Sequence, residues 1–421
     1  MIAKIAWKNI WYKPLNTALS IILLMASVAI ITMLILLQEQ FEKKFSDNIA
    51  GTDMVLGAKG SPLQLILSAI YQVDAPTGNI NYDEAKMLMH SPMVKEAVPL
   101  AFGDNYKGYR IVGTEPVFLS HYNAKIEKGA IFKKDFDVVV GSEVAQKMNF
   151  KVGDTFFGSH GDAAEGEVHE SHAYVVTGIA APSGKVVDNL ILCSIPSVWE
   201  MHEGHGHEAE PEIGEEHKDE ERKDAHWHEA HEEDTTGGNG REITAALITF
   251  KGPRAIIMWP NLVAMNGDMQ AASPAIEINR LFSLFGIGLQ ALQYLALGIM
   301  FISGISIFIA LYNTLKERKY EFALLRVNGA SRVQLLMLVL IESLLLCVTG
   351  FVFGTVVGRI GLALLSGSSE SAFKMSFNPY EFVWPKEGYL FALTIFVGTL
   401  AAVIPAVKAY SLNISKTLAN A

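Results

Sequence analysis

Histidine is concentrated in one short stretch of the chain. Residues 200–234 hold seven of the twelve histidines, together with fifteen Asp or Glu residues and only three Lys or Arg. Imidazole nitrogens bind zinc, copper, nickel and iron, and carboxylates can complete the coordination shell. Histidines two or three positions apart can share one ion without a preformed fold. The composition predicts weak, multivalent metal capture, with Zn²⁺ as the expected ion, by His202, His205, His207, His217, His226, His228 and His231.

A second loop could add three more ligands, His160, His169 and His172. Neither loop has the spacing of a zinc finger or the His-Glu-x-x-His of a metallopeptidase, so we expect capture of the ion and not catalysis. The competing interpretation is a solvated acidic linker in which histidine is incidental. A segment with so little apolar surface does not offset the entropy of ordering. On either interpretation, residues 200–240 are predicted to form a disordered loop between two strands.

The rest of the chain shows little catalytic chemistry. It contains no G-x-x-x-x-G-K-[ST], so it does not hold nucleotide phosphates as a P-loop does. No nucleophile and base are recognisable as a pair, and nothing favours nucleic-acid binding. Cys193 and Cys347 fall in an outer segment and in a membrane span, so we expect no disulfide. The chain is therefore not expected to be an enzyme.

Hydrophobic residues make up 50% of the chain and the mean hydropathy is +0.26, which indicates a membrane protein. A helix needs about 20 apolar residues to cross the hydrocarbon core. Four stretches meet this requirement: 17–38, 284–315, 333–359 and 388–407. Between residues 333 and 357 the third contains one charge, Glu342, which we expect to pack between helices. The first has too long an apolar core for a cleaved signal peptide.

Basic residues cluster beside the ends of these spans, and short loops rich in Lys and Arg stay in the cytoplasm. Three segments are therefore predicted to be cytoplasmic: an amphipathic helix at 1–16, a link at 316–332 and a tail at 408–421. Both termini would then be cytoplasmic, and residues 39–283 and a loop at 360–387 would lie outside. These patterns predict an integral membrane α-helical protein with four transmembrane helices and a large α+β extracytoplasmic domain inserted between helices 1 and 2.

The outer segment, 39–283, mixes strand-like and helix-like patterns, which favours the α+β class. Short runs rich in β-branched and aromatic residues predict strands at 109–113, 137–140, 173–179, 189–195 and 245–250. Helical patterns occur at 41–49, 62–71, 82–89 and 142–148.

The cytoplasmic link carries local helix signals. Residues 317–328 form a helical stretch that Gly329 should end, and Ser331 is placed to cap a second helix. This stretch closely resembles the pattern E-R-x-x-E-[IF]-x-[LV]-[LM]-[RK]-x-x-G-A-[ST], by which permeases of the MacB/FtsX-like family of ABC transporters contact their ATPase. The matching residues, which the resemblance implies are ATPase-coupling residues, are Glu317, Arg318, Glu321, Leu325, Arg326, Gly329, Ala330 and Ser331.

Three further stretches resemble the same family. Residues 6–10 are similar to its amphipathic helix before the first span, and residues 139–145 with 152–154 are similar to its small β-subdomain. Residues 404–409 and 414–418 are close to its terminal P-A-x-x-A-x-x-x-x-P-x-x-A-L, although the second proline is absent. One long loop between the first two spans also fits, so the resemblance covers the chain apart from the histidine insert.

The resemblance implies a permease in the bacterial inner membrane, surrounded by lipid and forming a dimer with a second permease copy. A separate cytoplasmic ABC ATPase would bind ATP and Mg²⁺ and move the outer domain through the membrane helices. We expect a link to zinc or metal homeostasis. The alternatives are export of a lipoprotein, peptide or drug with a periplasmic partner, and ATP-driven regulation of a cell-envelope hydrolase or sensor kinase without transport.

Overall fold

The computed structural model describes residues 6, 14–49, 51–159, 172–203, 241–265, 267–373 and 377–411. The chain divides into two compact units. The outer unit is Lys44–Asn279, and the membrane unit comprises Met1–Lys43 and Arg280–Ala421. Each unit has its own hydrophobic core.

The described helices and strands alternate through the outer unit, and helices alone follow it. The helices are α1 (Pro14–Ile49), α2 (Pro62–Ile66), α3 (Tyr82–Met89), α4 (Val117–His121), α5 (Ser142–Met148), α6 (Ile195–Glu203), α7 (Pro253–Ala264), α8 (Pro274–Glu317), α9 (Lys319–Val327), α10 (Arg332–Phe373) and α11 (Trp384–Tyr410). The strands are β1 (Met54–Ala58), β2 (Ile80–Asn81), β3 (Val94–Tyr106), β4 (Tyr109–Thr114), β5 (Ile126–Gly129), β6 (Asp137–Val140), β7 (Thr155–Phe156), β8 (Tyr174–Ala180), β9 (Ile191–Ser194), β10 (Glu242–Ile243), β11 (Ala245–Phe250) and β12 (Met269–Ala272).

In the part of the chain that the structure describes, four helices are long and apolar enough to cross a membrane: α1, α8, α10 and α11. This confirms the predicted four-helix architecture with a large domain between the first and second helices. The helices extend beyond the predicted spans. α8 begins at Pro274, and α10 continues to Phe373, so residues 360–373 are helical where a loop was expected. Membrane thickness sets the minimum length of a span, but it does not end a hydrogen-bonded helix, which continues until a cap or breaker.

Helices α1 and α10 approach each other at a row of glycines. A Cβ atom on Gly350 would lie 2.6 Å from Leu24 Cδ2, and one on Gly354 would lie 2.6 Å from Val28 Cβ. Gly358 continues the row on the same side of α10. Small residues four positions apart let two backbones come close, which is a common way for helices to associate in lipid.

Buried hydroxyl groups also connect the membrane helices. Ser27 Oγ in α1 donates to the Ala296 carbonyl of α8 at 3.0 Å, and Ser343 Oγ in α10 donates to the Gly398 carbonyl of α11 at 2.6 Å. Glu342 is buried, and its expected packing role stays a prediction. Such hydrogen bonds stabilise contacts between helices in an apolar surrounding.

Arg359 of α10 fixes the segment that leads into α11. Its guanidinium donates to the two carboxylate oxygens of Glu387 at 2.8 and 2.9 Å, and to the carbonyls of Pro379 and Glu381 at 2.7 and 2.8 Å. The Phe382 ring lies 4.5 Å from the guanidinium carbon. The planar guanidinium suits this two-point contact with a carboxylate. Residues 379–387 are therefore held against α10.

Among the described residues of the outer unit, ten strands form one mixed sheet. Their order is β12-β1-β11-β3-β4-β9-β6-β8-β5, with β7 paired to β8, while β2 and β10 form a separate pair. Most neighbours are antiparallel, but β4 and β9, and β6 and β8, run parallel. The largest fully buried side chains include Trp259, Tyr122 and Tyr174. Helices and strands share this core, as the α+β prediction requires.

Several outer elements occupy their predicted positions. The predicted strands at 137–140 and 245–250 are β6 and β11, and the predicted helices at 82–89 and 142–148 are α3 and α5. α3 begins where Asn81 Oδ1 accepts from the Asp83 amide at 2.9 Å, an N-cap that its sequence favours. The helix predicted at 62–71 is instead α2 followed by a π-helical turn, Leu67–Tyr71.

The acidic insert does not start directly after a strand. Residues 200–203 complete α6, which differs from the prediction that a disordered loop begins at residue 200. α6 continues because Ile195, Val198 and Met201 are buried at a spacing of three residues, which gives the helix an inward apolar face. The remainder of the predicted loop, 204–240, lies outside the described residues.

Candidate functional site

The link between α8 and α10 is a short helix with two defined ends. α8 stops at Glu317, and Arg318 adopts a φ of −94° and a ψ of 17° before α9 begins. Backbone hydrogen bonds continue across this change, from Arg318 N to Thr314 O at 3.0 Å and from Phe322 N to Arg318 O at 3.0 Å. The chain therefore leaves helical geometry at one residue while these hydrogen bonds are kept.

An ion pair lies on the first turn of α9. Arg318 Nε and Nη2 lie 2.7 and 2.5 Å from Glu321 Oε2, a spacing of three positions that brings side chains together on a helix. The Arg318 side chain is only 11% exposed. Phe322, the next residue after Glu321, is buried in the core of the membrane unit. The start of α9 is thus anchored to the membrane-unit core by Phe322, while the ion pair stabilises its first turn.

Gly329 ends α9 in a Schellman motif. Its φ is +92°, a conformation that glycine adopts without strain. The Gly329 amide donates to Arg326 O at 3.1 Å, and the Ala330 amide donates to Leu325 O at 2.9 Å. Arg326 Nη1 donates to the Ala330 carbonyl at 2.7 Å, which adds a side-chain bond to the same turn.

Ser331 begins α10 with a reciprocal cap. The Gln334 amide donates to Ser331 Oγ at 3.2 Å, and the Ser331 amide donates to Gln334 Oε1 at 2.7 Å. This is the capping-box arrangement, which satisfies two amides that the first helical turn leaves free. The sequence prediction of a helix ended by Gly329 and a new helix capped by Ser331 is confirmed.

One face of α9 carries apolar side chains that the rest of the chain does not cover. Tyr320, Leu324 and Val327 are 49%, 40% and 60% exposed, and their spacing of four and three places them on one side of the helix. Phe322 and Ala323 point the other way and are buried. The sequence analysis did not identify this face. Its signal is the occurrence of apolar residues at positions i, i+4 and i+7 of the predicted helix.

None of the eight motif residues belongs to the exposed apolar face of Tyr320, Leu324 and Val327. All eight lie in or beside the link, and several build its helix ends through the bonds described above. These residues are Glu317, Arg318, Glu321, Leu325, Arg326, Gly329, Ala330 and Ser331. The motif therefore shapes α9, whereas the exposed apolar residues of α9 lie between the motif positions.

The predicted metal ligands fall mostly outside the described residues. His202 lies in α6, and the other six histidines of the insert, with His160 and His169, are not described. His172 stacks on Phe136, with ring centroids 4.7 Å apart. Within the described ranges, no group of three or more His, Cys, Asp or Glu residues could hold a metal ion.

The two ends of the insert are bonded to each other. Trp199 Nε1 in α6 donates to the Glu242 carbonyl of β10 at 2.6 Å, and the Arg241 guanidinium carbon lies 5.3 Å from the Trp199 ring. The Tyr82 amide donates to the Arg241 carbonyl at 2.8 Å. The fold around the insert therefore has its own contacts across the base of that segment.

A hydroxyl, an imidazole and a carboxylate form a chain that sequence analysis missed. Thr52 Oγ1 lies 2.9 Å from His121 Nε2, and His121 Nδ1 lies 2.9 Å from Glu96 Oε1. Hydrolases use this order of groups, but the amides of Thr52 and Asp53, which could stabilise an oxyanion, already donate to backbone carbonyls. Thr52 and the imidazole are also buried. The arrangement is therefore a structural connection, and the separation of its members in sequence hid it.

Two family models match the chain. The MacB-like periplasmic core domain matches residues 17–210, and the FtsX-like permease C-terminal domain matches residues 294–414. The first match includes α1 and much of the outer unit, and the second includes α9, α10 and α11. The chain belongs to the MacB/FtsX-like family of ABC transporter permeases. Permeases of this family work with an ABC ATPase partner, and the four apolar helices agree with a multi-pass inner membrane protein.

Solved structures of outer domains are similar to this chain at low sequence identity. The periplasmic region of MacB from Actinobacillus actinomycetemcomitans is 10% identical, with 56% of this chain and 97% of that chain covered and a TM-score of 0.34. The extracellular domain of the noncanonic ABC-type transporter YknZ from Gram-positive bacteria is 10% identical, with 52% and 99% covered and a TM-score of 0.30. No curated protein sequence matches the chain significantly.

Proposed function

We propose that this permease docks α9 onto a separate cytoplasmic ATPase and passes the movements of that ATPase to its membrane helices. The observation that carries the proposal is the exposed apolar face of Tyr320, Leu324 and Val327 on a helix fixed at both ends. An exposed apolar helix face suits a groove on another protein. The basic residues of the link favour the cytoplasmic side, with both chain termini on that side as well.

The contacts around α9 support a mechanical role. The buried Phe322 joins α9 to the membrane-unit core, the Arg318–Glu321 pair holds the first turn of α9 together, and the capped turn at Gly329 to Ser331 joins α9 to α10. A displacement of α9 would therefore shift α8 and α10 together. The close glycine contacts would carry the shift from α10 to α1. ATP and Mg²⁺ would act in the ATPase, and a second permease copy would complete the transporter.

Replacing one residue of the face tests docking. Leu324→Glu places a charge in the apolar face, whereas Leu324→Met keeps the face apolar. Leu, Glu and Met are all good helix formers, so neither change should unfold α9. We expect Leu324→Glu to reduce at least tenfold the ABC ATPase that copurifies with the tagged full chain from its native membranes. Leu324→Met should retain it. Equal ATPase recovery for the two variants would contradict the docking proposal.

We also propose that the insert gathers Zn²⁺ at the outer face and links this transporter to metal homeostasis. Seven histidines among fifteen carboxylates between residues 200 and 234 support this role. Trp199 contacts Glu242 and Arg241 across the base of the insert, so we expect the outer unit to keep its fold when the insert is removed.

Titration of the full chain with Zn²⁺ in detergent tests this second role. We expect micromolar or tighter binding that is lost when residues 204–240 are deleted. A variant with the six histidines of 205–231 replaced by Asn keeps the length and charge of the insert, so it separates imidazole from carboxylate binding. If all three chains bind Zn²⁺ alike, the insert is a solvated linker, and export of a lipoprotein, peptide or drug becomes the better hypothesis.

A further inference from the structure

The last turns of α1 make buried contacts with the outer unit at two residues, Phe45 and Asn48. Phe45 packs on Tyr71 with ring centroids 4.4 Å apart, and Tyr71 Oη donates to the Phe45 carbonyl at 2.8 Å. The Val186 amide donates to Asn48 Oδ1 at 2.9 Å. Phe45, Tyr71 and Val186 are buried, so rotation of this end of α1 would break contacts that water does not replace.

A third contact lies just beyond α1, between Thr52 and His121. His121 contacts Thr52 through Nε2 and Glu96 through Nδ1, both at 2.9 Å, and its side chain is only 2% exposed. Nδ1 faces a carboxylate, which can only accept, so Nδ1 donates in that contact, and the Thr52 hydroxyl, which can donate or accept, pairs with Nε2. The imidazole therefore connects Thr52 to Glu96 without leaving a ring nitrogen unbonded.

These contacts are joined into a ring. Lys185 Nζ donates to the Tyr122 carbonyl at 2.9 Å. Lys185 precedes Val186, which holds Asn48, and Tyr122 follows His121, which holds Thr52. The contacts thus run from α1 through residues 185–186 and 121–122 and return to the chain at Thr52.

The ring spans a turn of the backbone at Gly51. Gly51, between α1 and Thr52, has a φ of +98°, and glycine gives little resistance to rotation there. Thr249 Oγ1 donates to the Gly51 carbonyl, which ties this turn to β11. His121 adds a connection to β3, which pairs with β11 on one side and β4 on the other.

We propose that the ring is the joint through which movement of α1 reaches the outer sheet, and that His121 is its positioning residue. The inference rests on the proposed coupling function. With the joint intact, a displacement of α1 moves Thr52 and β3 together. With the joint open, the rotation at Gly51 absorbs part of the displacement before it reaches the sheet.

Matched threonine variants test the joint. Thr52→Val removes the hydroxyl and keeps the shape, and Thr52→Ser keeps the hydroxyl. Thr77→Val is the control, because Thr77 Oγ1 makes a comparable bond to the Ala58 carbonyl at 3.1 Å, away from the ring. Fluorophores at Met87→Cys in the outer unit and Tyr380→Cys in the membrane unit, 70% and 87% exposed, report the distance between the units. The native cysteines, Cys193 and Cys347, are buried.

The full chain is measured in nanodiscs with its copurified ATPase, with and without ATP, Mg²⁺ and vanadate. We expect Thr52→Val to reduce the nucleotide-dependent change in distance at least twofold while ATP turnover stays within twofold of wild type. Thr52→Ser and Thr77→Val should keep the full change. A merely structural defect would instead lower ATPase recovery and turnover together.

Hydrogen exchange on the full chain without the ATPase gives a second readout. Thr52→Val, and His121→Gln if the first variant folds poorly, should speed exchange at least fivefold in residues 45–53 and 183–188. Unchanged exchange, or a full distance change in Thr52→Val, or the same loss in Thr77→Val, would overturn the joint. The absence of any nucleotide-dependent change in the wild type would instead overturn the coupling function on which the joint depends.

Discussion

The outer unit and the membrane unit fill their interiors with different residues. In the outer unit the largest fully buried side chains are Trp259, Tyr122 and Tyr174, which bring large apolar surfaces together. In the membrane unit α1 and α10 approach each other at Gly350 and Gly354, where α10 itself contributes no side chain and Leu24 and Val28 of α1 occupy the space. The outer unit is therefore packed with large side chains, whereas α1 and α10 of the membrane unit pack closely because α10 has glycines at the contact.

The solvent explains the difference. Water drives apolar side chains into the outer core, so each large buried ring contributes to stability. Lipid is itself apolar, so Leu284, Ile287 and Phe301 of α8 can remain exposed on the surface of the membrane unit. Association of helices in lipid depends on close packing and hydrogen bonds instead. The outer unit should therefore be sensitive to lost volume, and the membrane unit to added volume.

The largest expected effect is that of Trp259→Ala in the outer unit. Trp259 is fully buried and packs edge-on against Phe250, with ring centroids 5.4 Å apart. Removing a buried Trp side chain costs about 3–5 kcal/mol, because apolar contact is lost and a cavity remains. Hydrogen exchange of β11 in the full chain should show this as a lower free energy of opening.

The neighbouring residue provides the control for that change. Met258 is 61% exposed on the same helix, so Met258→Ala should alter the opening free energy by about 0.5 kcal/mol or less. Similar losses for the two variants would mean that burial of volume does not stabilise the outer unit in the way proposed.

Adding volume should matter more in the membrane unit. Gly354→Leu places side-chain atoms where Val28 Cβ already lies 2.6 Å from an added Cβ. Overpacking of this kind costs about 1–3 kcal/mol, because α1 and α10 must move apart. The unfolding temperature of the full chain in nanodiscs should fall.

Gly298→Leu in α8 makes the same substitution where no atom lies within 4 Å of an added Cβ. It should leave the unfolding temperature nearly unchanged. If Gly298→Leu lowers this temperature as much as Gly354→Leu does, the close approach of α1 and α10 is not what the glycines support.

Local signals in the sequence were enough to predict the spans and the link, because apolar length, a glycine stop and a serine cap act within a few residues. Long-range pairing was not predictable in this way. β3 contains Pro99, Gly103 and Asp104, which interrupt a strand pattern, and it is a strand because β11 and β4 pair with its two edges. The connection of Thr52, His121 and Glu96 likewise depends on the folded sheet.

The link between α8 and α10 has a third kind of support, a capped helix end. We expect the start of α10 to depend on its Ser331 cap. Ser331→Ala removes the acceptor for the Gln334 amide and should cost about 1 kcal/mol. Exchange of the amides at 332–335 should become faster. Ser331→Asp restores an acceptor and should return the wild-type rate. Equal rates for the Ala and Asp variants would show that packing of α10, and not the cap, sets the start of this helix.

A further effect, similar in size to that of the cap, is expected as a decline in outer-unit stability at alkaline pH. Burial raises the pKa of the Cys193 thiol, with smaller contributions from the charges of Asp135 and Asp104, and burial likewise raises the pKa of the Tyr174 phenol. The folded state then holds these protons more tightly than the unfolded chain, whose values are about 8.5 for Cys and about 10 for Tyr. Stability is therefore complete below the unfolded values and falls as the pH rises above them. Between pH 8 and pH 9.5 the loss from Cys193 should be about 1 kcal/mol.

Hydrogen exchange cannot compare these pH values directly, so the unfolding temperature of the outer unit, followed by tryptophan fluorescence, is the suitable measurement. Cys193→Ala removes the ionisable group, and its unfolding temperature should fall less steeply with pH than that of the wild type. The same slope in both chains would mean that the thiol gains access to water before the unit unfolds.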